Sequence, residues 1–118
     1  MATRVRTTTT VVRVRTVEAH AEPGCCPHYH EAIELIGKRW TGAIVRVLLS
    51  SSRPLRFSQI AHAVPELSDR LLSERIKELE ARGLVARDAE GYALTEMGAE
   101  LEPALVQVEA WAQRWLAR

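Results

Sequence analysis

From Pro27 onward, apolar residues recur at the three-and-four spacing of amphipathic helices. Ile33, Leu35 and Ile36 predict a first helix that stops near Gly37, since glycine accepts the left-handed backbone of a helix end. A second helix over Thr41–Ser50 carries Ile44, Val45, Val47, Leu48 and Leu49, which marks it as the buried centre. Ser50 to Pro54 reads as a loop. Phe57, Ile60, Ala61 and Val64 then sit at i, i+3, i+4 and i+7, a short helix stopped by Pro65. Ser68 is placed to cap a longer helix running to Gly83, with Asp69 at its positive end. In that helix Leu72, Ile76 and Leu79 share one face. Arg70, Ser73, Glu74, Lys77 and Ala81 lie opposite, along roughly 21 Å of helix.

The period then changes. Leu84-Val85-Ala86-Arg87 and Tyr92-Ala93-Leu94-Thr95 flank the turn-rich Asp88-Ala89-Glu90-Gly91 and predict a β-hairpin. A last helix is expected from Thr95 or Glu96 to Leu116, bent or restarted around Pro103. Leu101, Leu105, Val108, Ala112 and Trp115 keep helical spacing along it, and Trp111 and Leu116 widen the apolar face. Residues 1–24 differ from the rest. A threonine run, Thr7 to Thr10, precedes the alternating segment Val12–Val17, and Pro23-Gly24 closes it, so an N-terminal arm, flexible or strand-like, is expected ahead of a domain at 25–118.

A short helix, a turn, a longer helix with a polar outer face and a hairpin make a winged helix-turn-helix. The fold class is therefore mainly α with a short β-hairpin. Such a helix fits the major groove of B-DNA, where every base pair shows its own donor and acceptor pattern. Charge sharpens this picture. The net charge is only +1, but residues 38–87 hold ten Lys/Arg against five Asp/Glu, while residues 88–118 hold two against six. A basic middle beside an acidic tail suits one face to an anionic partner.

The 118 residues provide one domain, with no apolar run long enough to span a bilayer. The first residues lead into threonines instead of the apolar core of a secretory signal, and two adjacent cysteines cannot frame a disulfide-rich domain. A cytoplasmic protein without membrane partners is expected. No glycine-rich phosphate loop, paired catalytic carboxylates or nucleophile elbow is present, so neither enzymatic activity nor a cofactor is expected.

Beyond these patterns, Cys26-Pro27, Leu35-Ile36-Gly37, Arg39-Trp40-Thr41, Arg56-Phe57, Leu67-Ser68, Leu71-Leu72, Arg75-Ile76, Glu78-Leu79-Glu80, Gly83-Leu84-Val85, Tyr92-Ala93-Leu94-Thr95 and Gly98 follow one another in the chain. Over about residues 25–118 this order resembles the HxlR-type winged helix-turn-helix transcriptional regulators. The resemblance implies a homodimeric, sequence-specific regulator, acting as repressor or activator on a double-stranded operator, often in response to an oxidant, electrophile or small molecule. It implies that Arg56, Ser68, Arg70, Ser73 and Arg75 lie on or near DNA. Ser58, Gln59, Asp69, Glu74, Lys77 and Arg87 complete the expected DNA-binding set, with the recognition helix at about 68–82. The chain departs from the family at Lys38, where a second glycine is usual, and at Arg39, where lysine is usual. It departs again at the acidic tip Asp88-Ala89-Glu90-Gly91, where a Pro-rich, Arg-containing wing is usual. The arginines of the arm, Arg4, Arg6, Arg13 and Arg15, are candidates to replace that wing in the minor groove.

Reading a symmetric operator requires a two-fold dimer. Its expected seam lies on N- and C-terminal helices: Tyr29 and Ile33 on the first, and Leu105, Val108, Trp111, Ala112 and Trp115 on the last. Cys25-Cys26-Pro27-His28-Tyr29-His30 leaves three readings open. Cys26 resembles the family's redox- or electrophile-sensing cysteine, and both Cys25 and Cys26 are sensing candidates. A metal site has suitable ligand types, but its spacing is not that of structural zinc. In the third reading the cysteines are inert. Two further functions compete with the DNA-binding homodimer: a winged-helix module for protein–protein contact alone, and a MarR-like ligand-responsive regulator. The longer helical dimer domain and longer wing of the latter fit this chain less well.

Overall fold

In the computed structural model, residues 26–117 are described; the expected arm over 1–24 and Cys25 lie outside them. Helix α1 spans Cys26–Gly37, and its residues through Leu35 belong to a unit separate from that of residues 36–118. The second unit runs α2 (Thr41–Leu49), α3 (Phe57–Ala63), α4 (Asp69–Ala81), β1 (Val85–Asp88), β2 (Gly91–Leu94), α5 (Glu96–Ala99) and α6 (Glu102–Trp115). This is the winged helix-turn-helix order, mainly α with one antiparallel hairpin.

Its core gathers the apolar stripes of successive elements. Ile44, Val45 and Leu48 come from α2, Ile60 from α3, and Leu72, Ile76 and Leu79 from α4, with Leu84, Val85 and Tyr92 from the root of the wing. Helix α2 begins without a side-chain cap. Trp40 precedes it in the left-handed region at φ 76°, a conformation that costs a bulky L-residue about 1–2 kcal/mol.

Helix α4 ends in a Schellman motif. Gly83, at φ 85°, donates to the Glu80 carbonyl at 3.1 Å, and Leu84 donates to Leu79 at 2.9 Å. That bond commits the Leu84 N–H to the helix end. The strands accordingly begin at Val85 and end at Leu94, one residue displaced from the pattern-based expectation of 84–87 and 92–95. The register pairs Val85 with Leu94 and Asp88 with Gly91. Only Ala89 and Glu90 remain for the turn, because the Asp88 carboxylate accepts from the N–H groups of Glu90 at 2.7 Å and Gly91 at 3.2 Å.

A feature absent from the sequence pattern joins the wing to the helix-turn-helix. Leu55, in the loop before α3, exchanges both backbone hydrogen bonds with Tyr92, at 2.9 and 2.7 Å. Gly91, at φ 139°, permits this approach, since a Cβ there would collide with the Leu55 carbonyl. The C-terminal helix breaks into α5 and α6 at Glu100–Leu101, and Pro103 stands in the first turn of α6, where its missing N–H costs nothing. No residue of α6 is buried.

Candidate nucleic-acid interface

The alternation within α4 places its two faces. At about 100° per residue, Arg70, Glu74, Lys77 and Ala81 fall within roughly 60° of one another, opposite Leu72, Ile76 and Leu79. The apolar side is buried in the core, and Arg70, Glu74, Lys77 and Ala81 are exposed. Ser73, at the edge of that row, is half-buried. The hydrophilic, outward face of this 13-residue helix, about 20 Å long, is thereby held on a packed core.

The start of α4 is oriented for anions. Ser68 Oγ accepts from the Leu71 N–H at 3.1 Å and so caps the helix as its sequence suggests. The exposed Asp69 in the first turn is favourable to the helix dipole but adds negative charge beside that end. Along the outward row, Arg70 Nε lies 3.4 Å from Glu74 Oε2. Lys77 is exposed and has no ion-pair partner among the described residues.

Arg75 faces elsewhere. Its side chain is only 15% exposed, its Nε donates to the Arg39 carbonyl at 3.0 Å, and Nη1 lies 3.5 Å from Glu78. Glu78 also pairs with Lys38 at 3.0 Å. Arg75 thus ties α4 to the turn before α2, in an arrangement that holds the helix instead of reaching outward. Lys38, one of the residues that set this chain apart, joins the same cluster.

Around the short helix, Arg56, Ser58 and Gln59 are exposed. Gln59 Oε1 accepts from the Arg56 N–H at 2.8 Å, capping α3 and leaving the amide nitrogen as its free donor. Arg53, not among the residues singled out from the sequence, lines one groove with Arg56, Gln59 and Glu90. Its cationic charge within the basic stretch was the only signal for it. In the wing, Arg87 donates to the Tyr92 hydroxyl at 3.0 Å and sits 5.5 Å from that ring's centroid. This hydrogen bond and the charge interaction with the phenol raise the Arg87 pKa above its ordinary value.

The apolar residues expected to form a dimer seam also reach the surface. Val108, Trp111 and Trp115 of α6 are each more than half exposed, whereas Leu105 and Ala112 are half-buried. On α1, Tyr29 and Ile33 are exposed. Cys26 is the first residue of α1. Among the described residues, no helix is long and apolar enough to cross a membrane.

These elements match a known family in order and in sequence. The profile of the HxlR-like helix-turn-helix family fits residues 35–118. The chain belongs to this family. The HTH-type transcriptional regulator YvaP of Bacillus subtilis is 43% identical over 98 residues, which cover 77% of this chain and 89% of YvaP. The crystal structure of quinone-bound YodB from B. subtilis superposes with a TM-score of 0.72 at 40% identity, covering 76% of this chain and 100% of that one. YodB has also been solved in reduced and diamide-treated forms. The redox regulator HypR in its reduced form superposes with a TM-score of 0.65 at 28% identity, covering 75% of this chain and 94% of HypR. The HxlR-like chain is accordingly a DNA-binding transcriptional regulator, and α4 is the second, longer helix of its helix-turn-helix.

Proposed function

We propose that this regulator binds operator DNA as a homodimer, each protomer laying the outward row of α4 in the major groove. The observation that carries the reading is the exposed row Arg70, Glu74 and Lys77 set against the fully buried stripe beneath it. In this arrangement Lys77 meets a phosphate, and the first backbone N–H groups of α4 lie close to another. Arg56, Ser58 and Gln59 flank the groove from α3, and Arg87 approaches from the wing. Arg75 contributes by holding α4 in place.

The salt dependence of binding tests this directly. Affinity of the full chain for the DNA upstream of its own gene is expected to fall steeply between low and physiological salt, because each phosphate contact releases counterions. Lys77→Ala is expected to weaken binding to all duplexes alike and to reduce the logarithmic salt slope by about 1. Binding that ignores salt, or no binding at all, would instead favour a protein-docking module, a reading kept in view by the acids Asp88 and Glu90 at the wing.

The effector reading rests on relatives solved in quinone-bound, diamide-treated, reduced and oxidised states. Cys26 is the first residue of α1, and a cysteine thiolate is the form that adds to quinones and forms disulfides. Treating the homodimer with diamide, which takes up the two electrons and two protons released by a pair of thiols, is expected to yield an intersubunit disulfide. Mass spectrometry should trace it to Cys25 or Cys26, and operator affinity should change with it. Unchanged affinity and free thiols after treatment would remove this part of the proposal.

A further inference from the structure

We infer that Glu74 is a positioning residue that sets Arg70 against a guanine, so that each operator half-site carries a G·C pair under the first turn of α4. This rests on the reading that α4 enters the major groove. Arg70 is the second residue of α4, and N-terminal residues of a recognition helix are those that reach base edges. A cation at that place opposes the helix dipole, so its presence there is not explained by helix stability. Its side chain is 89% exposed, free of the core.

Glu74 lies one turn on, and its Oε2 meets Arg70 through Nε at 3.4 Å. Contact on that side leaves the two terminal Nη groups open, the pair of donors that matches guanine O6 and N7. An exposed pair of this kind contributes little to folding. A carboxylate in a row that faces phosphates is also unfavourable by itself. Glu78 shows the contrast: it faces Lys38 and Arg75, away from the outward row. Glu74 therefore pays for its place by orienting the fork of Arg70, and the ion pair lessens the repulsion its charge would otherwise cause.

The test is selection of duplexes from a randomised library by the full-length chain, comparing wild type with Arg70→Ala, Arg70→Lys and Glu74→Ala. Wild type is expected to enrich one guanine position per half-site that all three variants relax, by about tenfold in preference. Arg70→Lys should keep its affinity for random duplex, because it retains the charge and loses only the planar fork. Glu74→Ala should bind random duplex more tightly than wild type while discriminating less, a combination that a purely structural role does not give. Preferences that survive Arg70→Ala would overturn the inference and leave the DNA-binding reading intact. So would a Glu74→Ala variant that relaxes a different position from Arg70→Ala, since the carboxylate would then read a base itself. A wild-type chain that enriches no duplex would overturn both.

Discussion

Trp111→Glu combined with Trp115→Glu is expected to leave the fold intact, convert the proposed homodimer to a monomer and lower operator affinity by at least about 100-fold. The reason lies in the two edges of α6. Glu109 faces α2, where its carboxylate meets Arg46 at 2.8 Å, and Leu105 and Val106 line a groove with Leu49 on the same flank. Val108, Trp111 and Trp115 project from the other edge, 57%, 56% and 66% exposed. Three large apolar side chains in one exposed stripe on so small a domain mark an association surface.

In a two-fold interface every contact occurs twice, so the double substitution places four carboxylates in one apolar seam. Loss of the dimer also loses the high effective concentration with which the second half-site is met, and this sets the scale of the affinity change. Sedimentation velocity and circular dichroism check the outcome together. A double variant that sediments as a dimer would show that the seam is elsewhere.

Leu72→Ala should lower unfolding stability by about 2–5 kcal/mol, because the side chain is fully buried and its loss leaves a cavity among close-packed neighbours. For a domain of this size the midpoint of thermal unfolding is expected to fall by about 15 °C. Of the total stability, typically about 5–15 kcal/mol, this is a large share, and it acts on the very stripe that seats the recognition helix. Lys77→Ala, on the opposite side of α4, serves as the control and should move the midpoint little. A loss below about 1 kcal/mol for Leu72→Ala would mean that α4 is not held through this stripe.

The two faces of α4 were legible in the chain because helical periodicity is a local property: Leu72, Ile76 and Leu79 recur at the spacing that turns them to one side, and the cap at Ser68 and stop at Gly83 are local chemistry. The hairpin was legible for the same reason, to within one residue. Its boundary shifted because Leu84 was claimed by the end of α4 through a bond to Leu79. The restart of the last helix near Pro103 likewise follows from a missing N–H that any reading of the chain can see.

What folding alone decided is whatever depends on residues far apart in the chain. Arg75 and Arg70 stand in the same helix about 140° apart, which turns them to different sides, but the partner that gives Arg75 its holding role, the Arg39 carbonyl, lies 36 residues away. Lys38 acquired a partner in Glu78, 40 residues on, and Leu55 paired with Tyr92 because Gly91 lacks a Cβ. Local sequence therefore determined the elements, their caps and their apolar faces, since those follow from neighbours within a turn or a strand. The direction of individual charges and the anchoring of the wing were set by packing, because long-range contacts exist only once the core has brought the elements together.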